Sequence, residues 1–175
     1  MAIVRGMAGT LGERTGDRPR YGRGPVGSAV MSTVFTKIID GELPGRFVWS
    51  DERCAGFLSI NPLGPGHTLV VPREEVDHWV DADPDLVAHL TGVCHTIAKA
   101  VEAIWQPPRV GFLVAGFEVP HLHLHVFPAW DMRAFDFANA AKSVDDAEQD
   151  GIAERLRTTL REAGHGDRVA TSGKL

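Results

Sequence analysis

Residues 120–128 read PHLHLHVFP, three histidines at every second position with an apolar residue after each. That alternation constrains the chain more than any other feature. A β-strand turns successive side chains to opposite faces. His121, His123 and His125 therefore share one face, and Leu122, Leu124 and Val126 share the other, facing a core. Neighbouring histidines stand ~7 Å apart, two residues at ~3.3 Å rise each. The expectation is a row of imidazoles on an open face with a rigid apolar backing, in a strand that Pro128 ends. Near neutrality an imidazole is a nucleophile, a metal ligand or, when charged, an acid. Three readings compete for the row. One is metal binding by alternate histidines. Another is phosphoryl or nucleotidyl transfer, with one histidine as nucleophile and a neighbour supplying protons or positive charge. The third is a polar face without chemistry.

The surrounding chain reads as α+β. VFTKIIDGE has apolar residues at 34, 35, 38 and 39, a helical spacing that Gly41 stops. RFVWSDERCAGFLSI reads as two strands around the polar turn SDER, followed by the loop NPLGPG and the short buried strand HTLVVP. Residues 84–105 form the clearest helix: Leu86, Leu90, Val93, Ile97, Val101 and Ile104 make one stripe, and Pro84 suits the first turn. RVGFLVAG is a further strand, and residues 145–163 a second, more charged helix. The pattern predicts an antiparallel sheet of about five strands with one long helix and a C-terminal helix.

Residues 1–30, with the Gly-, Arg- and Pro-rich run GERTGDRPRYGRGPVGSA, lack apolar periodicity and read as a disordered extension, with a basic anion-touching tail as the alternative. Patterning begins at Met31, a second plausible start. A formal net charge of -5 argues against nucleic acid bound by phosphate neutralisation. Cys54 and Cys94 form no CxxC pair, so a disulfide scaffold is not expected and a reducing cytoplasm is. No run of ~18 apolar residues is present to span a membrane, and the N-terminus has no signal-peptide pattern.

The order His-apolar-His-apolar-His-apolar-apolar resembles the signature of the histidine triad (HIT) family of nucleotide hydrolases and transferases. The resemblance covers about residues 33–130. It takes in VFTKIIDGELPGR, the hairpin, PGHTLVVPR, the long helix and the strand after it. It implies a HIT domain over 31–142, with 143–175 as C-terminal helix and tail. It implies that His123 attacks an α-phosphorus to form a nucleotidyl-histidine. His125 would hydrogen-bond the phosphate and assist the leaving group, His121 would orient the row from behind, and His67 is the family's upstream histidine. A nearby imidazolium would stabilise growing charge. A nucleoside monophosphate is released, and no cofactor is required. The implied nucleoside pocket is Val34, Phe35, Ile38, Phe57, Ser59 and Ile60, for a purine nucleotide or nucleotide conjugate. The family also implies a two-fold homodimer, to which Trp105 and the stripe of residues 86–104 are candidate contributors.

Three positions depart from the family pattern. Ser59 stands where a ribose-gripping Asp is usual, Val114 where an Asn is usual, and Glu118 where a Ser or Thr is usual. A carboxylate facing a phosphate repels it, so Glu118 points away, is protonated, or holds a histidine. These departures keep a second function open, a nucleotide-binding sensor or interaction module with little turnover. Some branches carry a zinc site built partly from an N-terminal cysteine pair. MSTVFTK has none, so no metal is expected. His78, His89, His95 and His165 lie outside the motif, with His89 and His95 expected exposed. Trp130, Phe135 and Phe137 either approach the site or pack as an irregular tail.

Overall fold

The computed structural model describes residues 32–170. The extension expected over 1–30 lies outside the described residues. Strands β1 (Phe47–Ser50), β2 (Cys54–Leu58), β3 (Thr68–Pro72), β4 (Arg109–Val114) and β5 (Leu124–Ala129) form one sheet. Its order is β1-β2-β3-β5-β4, and every neighbouring pair is antiparallel. Three α-helices accompany it: α1 (Val34–Ile39), α2 (Pro84–Trp105) and α3 (Asp146–Leu160). The α+β class, the five strands and the long helix agree with the sequence pattern.

The helices begin where side chains can satisfy free backbone N–H groups. Thr33, Asp83 and Asp145 each accept a bond from the first turn of α1, α2 and α3, and Pro84 occupies the first position of α2. The predicted stripe of α2 is buried as far as Val101. It packs with Leu156 and Leu160 of α3 against Val70, Leu122, Leu124 and Val126. Arg157, buried on α3, donates from Nε to the Phe47 carbonyl at 2.9 Å, tying the helical layer to β1. The stripe is thus committed to its own core and is not a free dimer surface. Trp105 packs on Gly66 and under the Arg155 guanidinium. The opposite face of the sheet carries a smaller aromatic core of Phe35, Phe47, Phe57 and Leu69, covered by α1.

Two expectations for the histidine strand need correction. Its ladder begins at Leu124, not at His121. The His121 N–H donates to the Val119 carbonyl and the Leu122 N–H to the Val76 carbonyl, so loops hold residues 121–123. The alternation nevertheless persists, with Leu122 in the same core as Leu124 and Val126. The strand also runs through Pro128 to Ala129. Pairing with β3 has stopped at Val126, so β5 has a partner strand on one side only there, the setting in which a proline is tolerated.

Gly66 closes the turn before His67 at φ +76°, and a Cβ there would lie 2.4 Å from the Trp105 ring. Gly66→Ala therefore combines left-handed strain with overpacking, and is expected to cost about 2–4 kcal/mol in urea denaturation.

Candidate active site

His67, His121, His123 and His125 are all buried, between 0% and 7% exposed. The open face expected from the sequence is in fact a covered one. Phe35 of α1 lies edge-on to His123 at 4.9 Å between ring centroids and to His121 at 6.0 Å. Phe137, in the segment after β5, lies edge-on to His125 at 5.2 Å. Phe127 backs His67 at 5.3 Å and is itself met by Phe135 at 5.2 Å. The tail thus does approach the row, through Phe137. Ala141 fastens that tail to the loop after β2: its N–H donates to the Pro62 carbonyl, and its carbonyl accepts from Asn61 Nδ2.

Hydrogen bonds fix the tautomers, because a carbonyl only accepts and a backbone N–H only donates. The Leu63 N–H donates to His67 Nδ1 at 3.0 Å, so neutral His67 carries its proton on Nε2. That Nε2–H donates to His125 Nδ1, also at 3.0 Å. His125 consequently carries its proton on Nε2. Among the described residues, this is the one buried side-chain nitrogen or oxygen found without a hydrogen-bond partner. His123 is set the other way round. Its Nδ1–H donates to the His121 carbonyl at 2.7 Å, leaving a lone pair on Nε2. The His123 and His125 ring centroids are 4.9 Å apart. The arrangement pairs a nucleophilic nitrogen with a free N–H donor, the two features needed to attack and steady a phosphoryl centre.

Burial favours the neutral form of His67, His123 and His125. It depresses His67 to about 3 and His125 to about 4, with nearby histidines adding to both shifts. Burial also lowers His123, against the raising effect of its bond to the His121 carbonyl. The resting donor on His125 is thus a neutral N–H.

The family follows from this geometry and from the sequence together. The HIT domain model matches residues 40–132, just over half of the chain. The chain belongs to the HIT family. An uncharacterized HIT-like protein of Borreliella burgdorferi is 35% identical over 116 residues, covering 62% of this chain and 84% of that protein. Among solved structures, a Zn-bound histidine triad family protein from Mycobacterium smegmatis matches with a TM-score of 0.66. It is 27% identical, and the match covers 78% of this chain and 98% of that one. A hypothetical histidine triad nucleotide-binding protein from Sulfolobus tokodaii strain 7 matches with a TM-score of 0.65 and 27% identity. That match covers 73% of this chain and 91% of the other.

The HIT-pattern pocket residues are distributed unevenly. Phe35 touches the row. Phe57 is buried behind it, 5.8 Å from Phe35. Ile38 is half-buried against the same aromatic core. Val34 and Ile60 are exposed. Ser59 lies beside the upstream histidine, its N–H donating to the His67 carbonyl. Its Oγ accepts from the Asn61 N–H, so this hydroxyl already has a local partner. Val114 is partly exposed on β4. Glu118 is exposed, yet its charge pushes His123 upward. The surroundings of His121 do not offer the cysteine pair of the zinc-bearing branches. His121 Nδ1 faces the Thr33 hydroxyl, and the neighbouring donors are Thr36 and Glu75, already linked by hydrogen bonds.

Of the outlying histidines, His95 and His78 are exposed, and His165 is half-buried beside Trp49. His89 differs from expectation: it is only partly exposed, and its Nε2 lies 3.0 Å from Asp51 Oδ2. Asp51 also accepts from Trp49 Nε1 and from the N–H groups of Arg53 and Cys54. Those bonds hold it at about 2 in spite of burial. Cys54 and Cys94 are buried, and burial raises both thiols, Cys94 to about 12.

The histidines generate a pH dependence of stability. His67 and His125 bind protons less readily folded than at their ordinary value of 6.5. Between those values the unfolded chain binds more protons, so stability is complete above about pH 6.5 and falls as pH drops towards 4. Urea unfolding between pH 7.5 and 4.5 should show that decline, and His67→Gln/His125→Gln should flatten it.

Proposed function

We propose that the chain is a nucleotide hydrolase or nucleotidyl transferase. It acts at the α-phosphate of a nucleotide phosphoramidate, ester or anhydride. The observation that carries this reading is the opposed pair of tautomers: a lone pair on His123 Nε2 next to an unpartnered N–H on His125 Nε2. His123 Nε2 bonds to phosphorus as the bond to the leaving group breaks, and the leaving group departs with that electron pair, an amine leaving group taking up a proton from solvent as it goes. His125 Nε2–H donates to a phosphoryl oxygen. The His123 Nδ1–H stays on the His121 carbonyl, which stabilises the positive charge that the ring acquires. Water then attacks phosphorus, the P–N bond breaks, and a nucleoside monophosphate leaves with a proton passing to solvent. Splitting one displacement into two lowers each barrier.

The substrate class is a purine nucleotide or nucleotide conjugate, with Phe35 as the pocket wall nearest the nucleophile. The family name and the nucleotide-binding description of the Sulfolobus tokodaii protein support the nucleotide. The reading includes a cytoplasmic, two-fold homodimer, with the exposed Phe112 and Val114 of edge strand β4 as its surface. It assigns residues 31–142 to the HIT domain and 143–175 to a C-terminal helix and tail. No helix among the described residues is long and apolar enough to cross a membrane. A second reading, a nucleotide-binding module with little turnover, is favoured by Glu118, whose charge reaches His123, and by Phe137, which covers His125.

Adenosine and guanosine phosphoramidates and dinucleoside polyphosphates test the two readings by monophosphate release. The wild type should turn over, and His123→Ala should lose at least ~1000-fold in kcat while still binding AMP or GMP. Binding without release by the wild type would favour the sensor. Glu118→Gln removes a negative charge near an anionic substrate. It is expected to lower KM several-fold, and the effect should shrink at high salt.

A further inference from the structure

The face of His121 turned away from His123 is tied into a connected set of hydrogen bonds that the transfer reaction does not use. His121 Nε2–H donates to the Pro72 carbonyl at 2.9 Å, which leaves a lone pair on Nδ1 when the ring is neutral. The Thr33 hydroxyl lies 2.7 Å from that nitrogen and donates to it. Thr33 Oγ1 in turn accepts from the Thr36 N–H and sits 3.1 Å from Thr36 Oγ1. Glu75 Oε1 accepts from the Thr36 hydroxyl, and from the Thr33 N–H at 3.0 Å. These bonds hold the Glu75 carboxyl below its usual range.

Counting protons along the path shows what joins its ends. With His121 neutral and Glu75 ionised, each hydroxyl proton is committed outward, and none lies between Thr33 and Thr36. One added proton completes the chain in either direction. Either His121 Nδ1–H donates to Thr33, Thr33 to Thr36 and Thr36 to the carboxylate, or a protonated Glu75 starts the same chain in reverse. Both completed forms satisfy every partner, so the bonded path between the carboxyl and the imidazole persists whichever end holds the added proton.

The path also has mechanical consequences. Glu75 follows β3, while Thr33 and Thr36 bracket the first turn of α1. The bonds therefore anchor α1, and with it Phe35, whose ring packs against both His121 and His123. His121 is held in turn from α1 and from β3, and its carbonyl is the acceptor that orients His123. We propose that Glu75, acting through the hydroxyls of Thr36 and Thr33, is a positioning residue for His123. It holds the His121 carbonyl and Phe35 against the nucleophilic ring. The effect on turnover rests on the hydrolase reading above, whereas the effect on the His123 ring does not.

The experiment therefore reads both. In the full-length protein, exchange of the His123 Nδ1 proton is followed by ¹⁵N-edited NMR, beside kcat and KM for the best substrate. Glu75→Ala and Thr36→Val should each speed that exchange at least tenfold. They should also lower kcat about tenfold with KM within twofold. Glu75→Gln keeps an acceptor oxygen and Thr36→Ser keeps the hydroxyl, so both should restore exchange and kcat. Unchanged exchange in Glu75→Ala and Thr36→Val overturns the proposal, as does a change that the conservative variants fail to rescue. A wild type without turnover sinks the hydrolase reading alone, because the exchange comparison still decides the positioning role of Glu75.

Discussion

A single backbone donor organises the chemistry of this molecule. The Leu63 N–H points at His67 Nδ1, and that contact dictates where every proton lies as far as His125. Moving the His67 proton to Nδ1 would set N–H against N–H at Leu63, and burial leaves no water to absorb the mismatch. The loop that supplies Leu63 is shaped by the turn at Gly66 and by the close approach of Trp105 from the end of α2. The apolar packing of the long helix thus reaches the site through one glycine. The aromatic rings around the row complete the effect, excluding the solvent that would otherwise charge the imidazoles.

The elements of this fold were largely legible in the sequence because each carries a local signal. Gly41, Pro84 and the α2 stripe mark boundaries and faces directly. The alternation at 121–126 placed the three histidines opposite the core, even though the ladder starts only at Leu124. Side-chain direction depends on local backbone extension, whereas ladder membership depends on what passes alongside. The burial of the row was not legible. It comes from Phe35 and Phe137, 88 and 12 residues distant from His123 and His125, and no local pattern announces such contacts. Thr33 and Glu75 carry no local signal for the same reason. Each looks like an ordinary polar residue until the fold brings both to one histidine. His89 illustrates the reverse: off the apolar stripe, it was expected to be exposed, but the turn after β1 brings Asp51 to it.

Direction and charge are divided between different residues around the row. His67 and His125 act by direction, since a fixed N–H needs no charge to organise an incoming oxygen. The acidic groups stand outside the row, Glu118 exposed near His123 and Glu75 two hydroxyls away from His121. Glu118 thus acts on His123 through its charge, whereas Glu75 reaches His121 through hydrogen bonds.

The alternation that builds the row also guards the fold against its nearest error. A slip of one residue in the β5 register would turn the imidazoles into the layer beneath α2 and α3 and lift Leu122, Leu124 and Val126 to the other side. Several unsatisfied polar groups would then sit in hydrocarbon, so the mispaired chain is costly from both faces at once. The residues that form the histidine row thus also proofread its assembly, and a chain that folds at all has those imidazoles on the side away from α2 and α3.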